Sequence, residues 1–447
     1  AQARVRAGRA MVGTGGDGSA GPAMPRPAAV QLGGHVVLRD TEGGQKVFHL
    51  GGSVKDLRMG KYAPIPIEAV LTMPYGATLR RVEGGKWERH RRCGPAAGEG
   101  DKDLDISESN QHLAQDNRAQ SLTPTAVKEL KGRCTGEELV DALASNSSTF
   151  ATKTKFSQEK YIRKKQQKHV QQVTILRPTV MELCETYMKQ SRGKMCGLRF
   201  DYLSSVLANA DVRSGGRYFA FDCACGLVVA SMAQRLSGAG RVFRAFRGNC
   251  PEKALAELDL GTARETVRPV PLEVLQSAEP WAQEWLRPPE VAEDAAKATG
   301  EEALVRMEAR TERARRRATD LRDLQARPVD AVVVVAGDDD AEAAAEAVDV
   351  GLAHLAPSGR LVVYGPHLQP LAARQSAMRA GGIFVDVRLT QLFTREYQVL
   401  PQRTHPHMSA EAQLCEGFLL TATKVADSTA GGVCEEPGLA EKRQRLA

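Results

Sequence analysis

Residues 218–228 read Tyr218-Phe219-Ala220-Phe221-Asp222-Cys223-Ala224-Cys225-Gly226-Leu227-Val228. An apolar run of strand length ends in an acid, small residues with one glycine follow, and Leu227–Leu236 continues as an apolar stretch of helix length. That is the pattern of a buried strand turning tightly into a helix. Gly215-Gly216 marks a turn before it, Gly238-Ala239-Gly240 a turn after it, and Arg241–Phe246 reads as the next strand. Further along, Ala331–Val335, Leu361–Tyr364 and Ile383–Leu389 are strand candidates. Stretches near Tyr397–Leu400 and Phe418–Thr423 are expected to close the sheet as an antiparallel pair. Glu301–Ala326 reads as a helix charged on all sides, usually a solvated face or a bridge between domains. Strands alternating with helices predict an α/β fold built on a doubly wound, mostly parallel sheet.

Toward the N-terminus the texture changes. His35-Val36-Val37-Leu38, Lys46–Leu50 and Ala69-Val70-Leu71 are short strand-like runs separated by Gly and Pro, which predicts a small antiparallel β unit. Helix starts follow at Thr123-Pro124 and at Thr135-Gly136-Glu137-Glu138, where Glu stands three residues after Thr at the capping-box spacing. Leu139, Val140 and Leu143 give that second helix an apolar face, and Phe156–Gln172 is a third, very basic one. The expected divisions are a disordered N-terminus over 1–28, the small β domain over 29–92 and a linker over 93–120. A helical basic connector over 121–192 then leads to the α/β domain over 193–426, with an insertion at about 250–326, and a disordered tail over 427–447.

The 447 residues, 42% of them hydrophobic, suffice for a large core without disulfides or metals. Nine scattered cysteines, an odd number, read as reduced thiols of an intracellular protein. No stretch approaches the roughly 18 apolar residues of a membrane span, so no membrane role is expected. Cys223 and Cys225 have no matching pair, and His405, His407 and Cys415 lack metal-ligand spacing, so no metal is assigned. The chain begins with Ala1, which leaves room for an N-terminal address. A net charge of +7 permits a polyanionic partner only where the charge is concentrated.

The turn after Phe221 resembles the first motif of Rossmann-like S-adenosylmethionine (SAM) methyltransferases, an acid followed by three alternating glycines. Counted from Asp222, those positions hold Ala224, Gly226 and Val228, so only the middle glycine survives. A methyl and an isopropyl group would intrude where the cofactor needs bare backbone. The second strand ends in Phe246-Arg247-Gly248, without the acid that would accept hydrogen bonds from ribose, and Arg247 would face a sulfonium. Asp338-Asp339-Asp340 after the fourth strand is acidic, which a helix N-terminus equally favours. Two failures in three predict a retained fold whose cofactor site, at Asp222, Ala224, Gly226 and Val228, is degenerate.

Positive charge is concentrated in Lys153–Lys168, followed by His169. Lys160, Arg163, Lys164 and Lys168 follow i, i+3, i+4, i+8 spacing and share a helical face, with Lys165 beside it and Glu159 the only acid. With Tyr161 among them the array suits a phosphate backbone and one stacked base. A solvated helical face or a nuclear-import signal is the plainer alternative.

Several segments together resemble one family: Thr135–Val140, Asn146–Phe150, Lys153–Tyr161, and Tyr397-Gln398-Val399-Leu400-Pro401-Gln402-Arg403-Thr404-His405-Pro406. They are similar to the non-catalytic, RNA-binding subunits of eukaryotic tRNA (adenine-N1) methyltransferases, which serve methylation of the T-loop adenine. The resemblance covers about residues 33–425 and is poor over 250–326, as a variable insertion would be. It implies a small β-barrel-like domain before a Rossmann-like class I methyltransferase domain that has lost its SAM site. It further implies a nuclear heterotetramer of two such chains with two catalytic paralogues, which bind SAM and share the grip on tRNA. By position it implies tRNA contacts from Lys160, Tyr161, Arg163, Lys164, Lys165, Lys168 and His169. It adds Asn117, Arg118, Lys194, Arg199, Arg395, Tyr397, Gln398, Arg403 and His405, and no catalytic residue. Gln166-Gln167 departs from the family's run of lysines. A methyltransferase active by itself, or a free-standing RNA-binding or translation-initiation factor, are the rival readings.

Overall fold

The computed structural model describes residues 29–82, 85–90, 120–153, 155–248, 252–276, 301–398, 407–414 and 417–425. The expected disordered ends, 1–28 and 427–447, and nearly all of the linker lie outside the described residues. The N-terminal strands are β1 (His35–Asp40), β2 (Gln45–His49), β3 (Asp56–Leu57), β4 (Ile65–Pro66), β5 (Thr78–Arg81), β6 (Trp87–His90) and β7 (Gln172–Leu176). Five of them form an antiparallel sheet in the order β2-β1-β7-β5-β6, and β3–β4 is a separate short ladder. Among the described residues this is an open sheet rather than a closed barrel.

Two expectations change here. Ala69–Leu71 is not a strand: Ile67–Val70 forms a single helical turn after Pro66, because burying Ile67 and Val70 together requires a spacing of three. The connector over 121–192 is not a unit either. β7 lies inside the N-terminal sheet between β1 and β5, pairing Leu38 with Ile175 and Leu79 with Val173. The following helix, Val180–Gln190, buries Leu183, Cys184 and Tyr187 in the core of the second domain.

Strand alternation ties the two domains together. Val36 and Leu38 of β1 enter the N-terminal core, while Val37 between them enters the other core. Arg39 reaches across to Glu182 at 2.6 Å.

The second domain carries β8 (Arg217–Asp222), β9 (Arg241–Phe246), β10 (Val267–Pro271), β11 (Val329–Val335), β12 (Leu355–Gly365), β13 (Phe384–Thr390), β14 (Thr394–Gln398), β15 (His407–Leu414) and β16 (Phe418–Lys424). Seven form a sheet in the order β10-β9-β8-β11-β12-β16-β13. β16 runs antiparallel to both neighbours, and the ladders from β10 through β12 are parallel. Counted within the domain this is 3-2-1-4-5-7-6, the arrangement of Rossmann-like class I methyltransferases. The expected closing pair separates: β16 enters the sheet, whereas β14 pairs with β15 in a hairpin of its own. β10 contains two prolines, which hid it in the sequence, and the fold tolerates them because β10 is an edge strand.

The helix Glu301–Ala326 is neither solvated throughout nor a bridge. Its last turns bury Ala318, Leu321 and Leu324 against the domain, and Asp323 receives Arg217 at 2.8 Å and Arg241 at 3.3 Å. The strand order reverses between β8 and β11, so their C-terminal ends form the crevice where such sheets hold ligands.

Candidate nucleic-acid interface and the crevice at the strand ends

The crevice is built by the turn that opened the sequence. β8 ends at Asp222, whose carboxylate folds back on its own loop: the Ala224 N–H donates to Oδ1 at 2.8 Å and the Val229 N–H to Oδ2 at 3.0 Å. Burial holds this carboxyl above the ordinary range, with the two backbone donors and Arg244 pulling the other way. Cys225 and Gly226 both take left-handed backbone, φ 57° and 74°, and Gly226 caps the helix Leu227–Leu236. The surviving glycine is thus required by the turn itself, with no ligand needed to explain it.

The other two positions, at which the resembled motif carries glycine, are core. Ala224 and Val228 are both 0% exposed, as are Leu227 and Met195, and Cys196, Cys223, Cys225 and Ala336 are buried around them. The turn Gly193–Met195 lies across the loop, with Cys225 Sγ 3.5 Å from the Lys194 carbonyl oxygen. On the same side Tyr187 donates to Glu257 at 2.6 Å, and Lys253 Nζ stands over the Tyr187 ring at 4.7 Å. Burial pushes the Cys184 thiol up to about 12. SAM needs open backbone at this loop and an acid at the end of β9, and the residues present supply neither. Arg244, buried in β9, is paired with Glu252, and Arg247 is held by Glu346 at 3.2 Å. What remains open beside the loop is a hollow of about 440 Å3 whose lining includes Arg247, Glu273, Asp339, Asp340 and Glu342. Its carboxylates would repel a phosphate backbone. Asp338 contacts His367 at 2.8 Å, and Asp340 precedes the helix Ala341–His354 without a side-chain cap bond.

The basic segment differs in every respect. Lys155–His169 is helical, and Lys160, Arg163, Lys164 and Lys168 are exposed along it. Tyr161 ties this helix to its neighbours. Its hydroxyl donates to the Leu143 carbonyl at 3.3 Å, its ring lies 5.5 Å from Phe150, and Lys153 and Lys165 stand 5.1 and 5.3 Å from its centroid. Lys165 is accordingly half-buried, and desolvation lowers its pKa, helped by Lys168 and Lys164. The capping box forms as expected, Thr135 accepting from the Glu138 N–H at 3.3 Å and Glu138 accepting from the Thr135 N–H at 2.8 Å. Gly136 lets the two helices meet, since a Cβ there would stand 2.8 Å from the His169 carbonyl oxygen and from Val170 Cα. Arg80 of β5 bonds Glu137 at 2.5 Å, which fixes the helix pair on the sheet.

The remaining expected contacts scatter. Lys194 is exposed on the turn over the crevice. Arg199 is internal: only 7% of its side chain is exposed, it bonds Asp201 at 2.6 Å and the Leu392 carbonyl at 3.1 Å, and it stacks on Tyr202. Its place before an apolar helix in the sequence does not reveal this burial. Arg395 is half-buried over Phe393, Tyr397 is 49% exposed on β14, and Gln398 ends that strand opposite His407. Asn117, Arg118, Arg403 and His405 lie outside the described residues.

A family model described as the Gcd10p family matches residues 29–307. The chain is 29% identical over 343 residues to the tRNA (adenine(58)-N(1))-methyltransferase non-catalytic subunit of Dictyostelium discoideum, covering 71% of this chain and 64% of that protein. It is 27% identical over 410 residues to the subunit of the same name in Mus musculus, covering 79% of this chain and 81% of that one. Among solved structures, a SAM-dependent O-methyltransferase of Thermotoga maritima aligns with a TM-score of 0.46 at 13% identity, over 89% of this chain and 96% of its own. The tRNA (m1A58) methyltransferase TrmI of Aquifex aeolicus aligns with a TM-score of 0.37 at 11% identity, over 90% of this chain and 100% of its own.

Proposed function

The chain belongs to the Gcd10p family, and from that premise we propose that it is the non-catalytic, tRNA-binding subunit of a tRNA m1A58 methyltransferase. The observation that carries the reading is the contrast between the apolar, fully buried loop at Ala224 and Val228 and the exposed cations Lys160, Arg163, Lys164 and Lys168. In this reading the chain binds no SAM and contributes no reacting group. A catalytic paralogue supplies the cofactor and the base, two copies of each chain form the assembly, and the complex works in the nucleus. The part played by this chain is positional. Holding the phosphate backbone fixes the T-loop, so that flipping the adenine into the partner's pocket becomes an intramolecular event.

The test is methyl transfer from labelled SAM to unmodified tRNA by this chain alone, by the catalytic paralogue alone, and by both together. Activity only in the mixture supports the reading, and activity from this chain alone sinks it. Calorimetric titration of the isolated chain with SAM should give no heat of binding. Light scattering of the mixture reports the stoichiometry, and imaging of the tagged chain in cells reports the compartment.

A further inference from the structure

The second concentration of positive charge lies in the helix Glu301–Ala326, which carries none of the residues assigned above. Arg310-Thr311-Glu312-Arg313-Ala314-Arg315-Arg316-Arg317 places five arginines and one acid in eight residues. All five arginines are exposed. Arg310, Arg313 and Arg317 follow i, i+3, i+7 spacing, a stripe about 10 Å long.

The rest of the helix explains why this stretch is left basic. Its later acids turn inward: Asp323 holds Arg217 at 2.8 Å and Arg241 at 3.3 Å, and Asp320 lies 3.5 Å from Arg268. Ala318, Leu321 and Leu324 pin the same turns to the domain next to β10, the edge strand. The arginine stretch therefore extends from a docked base, and Glu312 contacts Arg316 at 2.8 Å and Arg315 at 4.0 Å.

We propose that Arg310–Arg317 is a second phosphate-binding surface for the tRNA, on a different domain from Lys155–His169. This rests on the tRNA-binding reading above. Planar guanidiniums suit bidentate contact with phosphate oxygens, and a stripe of them reads no base. Its position beside the outer edge of the seven-stranded sheet sets it apart from the helix joined to the N-terminal sheet, so the two can hold separate stretches of one RNA.

The experiment is equilibrium binding of an unmodified tRNA transcript to the complex of this chain with its catalytic paralogue, over a range of salt concentrations. Arg310→Gln with Arg313→Gln should weaken binding about ten-fold at physiological salt and lower the log–log salt slope by about 1.5 to 2. Arg310→Lys with Arg313→Lys should keep most of the slope. Glu312→Gln, which frees two arginines, should tighten binding two- to three-fold, a gain that misfolding cannot imitate. If the arginine variants bind like the unaltered complex while Lys160→Gln, Arg163→Gln and Lys164→Gln together weaken it, the inference falls and the tRNA-binding reading stands. Weaker binding with an unchanged slope also overturns it, since the loss would then not be electrostatic. If neither set of variants changes binding, the reading on which the inference rests falls with it.

Discussion

The crevice at the ends of β8 and β11 and the helix Lys155–His169 have opposite patterns of burial. In the crevice Ala224, Val228, Leu227 and Met195 are inaccessible, and Asp222 caps its own turn. On the helix Tyr161 packs against Phe150, and Lys160, Arg163, Lys164 and Lys168 are exposed to water. Where no ligand has to be admitted, burying apolar surface and satisfying polar groups are unopposed. In the proposed reading, the exposed face of this helix must stay open to meet phosphate.

Four measurements would break or sharpen this comparison. The largest effect is on reactivity. With its thiol pushed up to about 12 by burial, Cys184 should alkylate roughly a thousand-fold more slowly at neutral pH than an ordinary thiol, with Cys223 and Cys225 also protected. Peptide mapping after timed iodoacetamide treatment checks this against half-buried Cys134, and early labelling at Cys223 or Cys225 would mean an open crevice.

Next, restoring the glycines by Ala224→Gly and Val228→Gly should cost about 3 kcal/mol, mostly from the cavity at Val228 and from glycine in a helix. It should not create SAM binding. Denaturant unfolding and calorimetry read the two effects separately, and a measurable heat with SAM would show that the side chains alone close the site.

Gly136→Ala should cost about 1–3 kcal/mol, because its Cβ would overlap backbone at 2.8 Å and push the basic helix off its partner. Here tRNA affinity should fall together with the melting temperature, unlike in the crevice variants, where affinity should hold. Finally, Tyr161→Phe should cost only about 0.5–1 kcal/mol for one hydrogen bond, with tRNA affinity unchanged. A large loss of affinity without a loss of stability would mean that the Tyr161 hydroxyl itself contacts the tRNA.

Much of the fold was legible because the signals were local. Leu227–Leu236 and Glu301–Ala326 have the bounds their patterns predict, and Arg241–Phe246 likewise. β7 and β10 were not, the first because a basic helix runs almost directly into it, the second because its prolines argue against a strand unless its edge position is known. In the interface, the shared face of Lys160, Arg163, Lys164 and Lys168 followed from spacing, whereas the anchoring of Tyr161 and the burial of Arg199 depend on neighbours distant in sequence, Leu143 and Leu392 among them.

The sequence by itself determined the strand–turn–helix unit around Gly226, the capping box at Thr135 and the basic face of the third helix. Each depends on residues within a few positions of one another, where backbone geometry and side-chain spacing decide the outcome. Tertiary structure alone decided that Val37 joins a different core from Val36 and Leu38, that Asp320 and Asp323 are turned inward, and that the loop at Ala224 is closed. Burial and charge pairing are properties of which chain segments meet, and that is set only when the whole sheet is assembled.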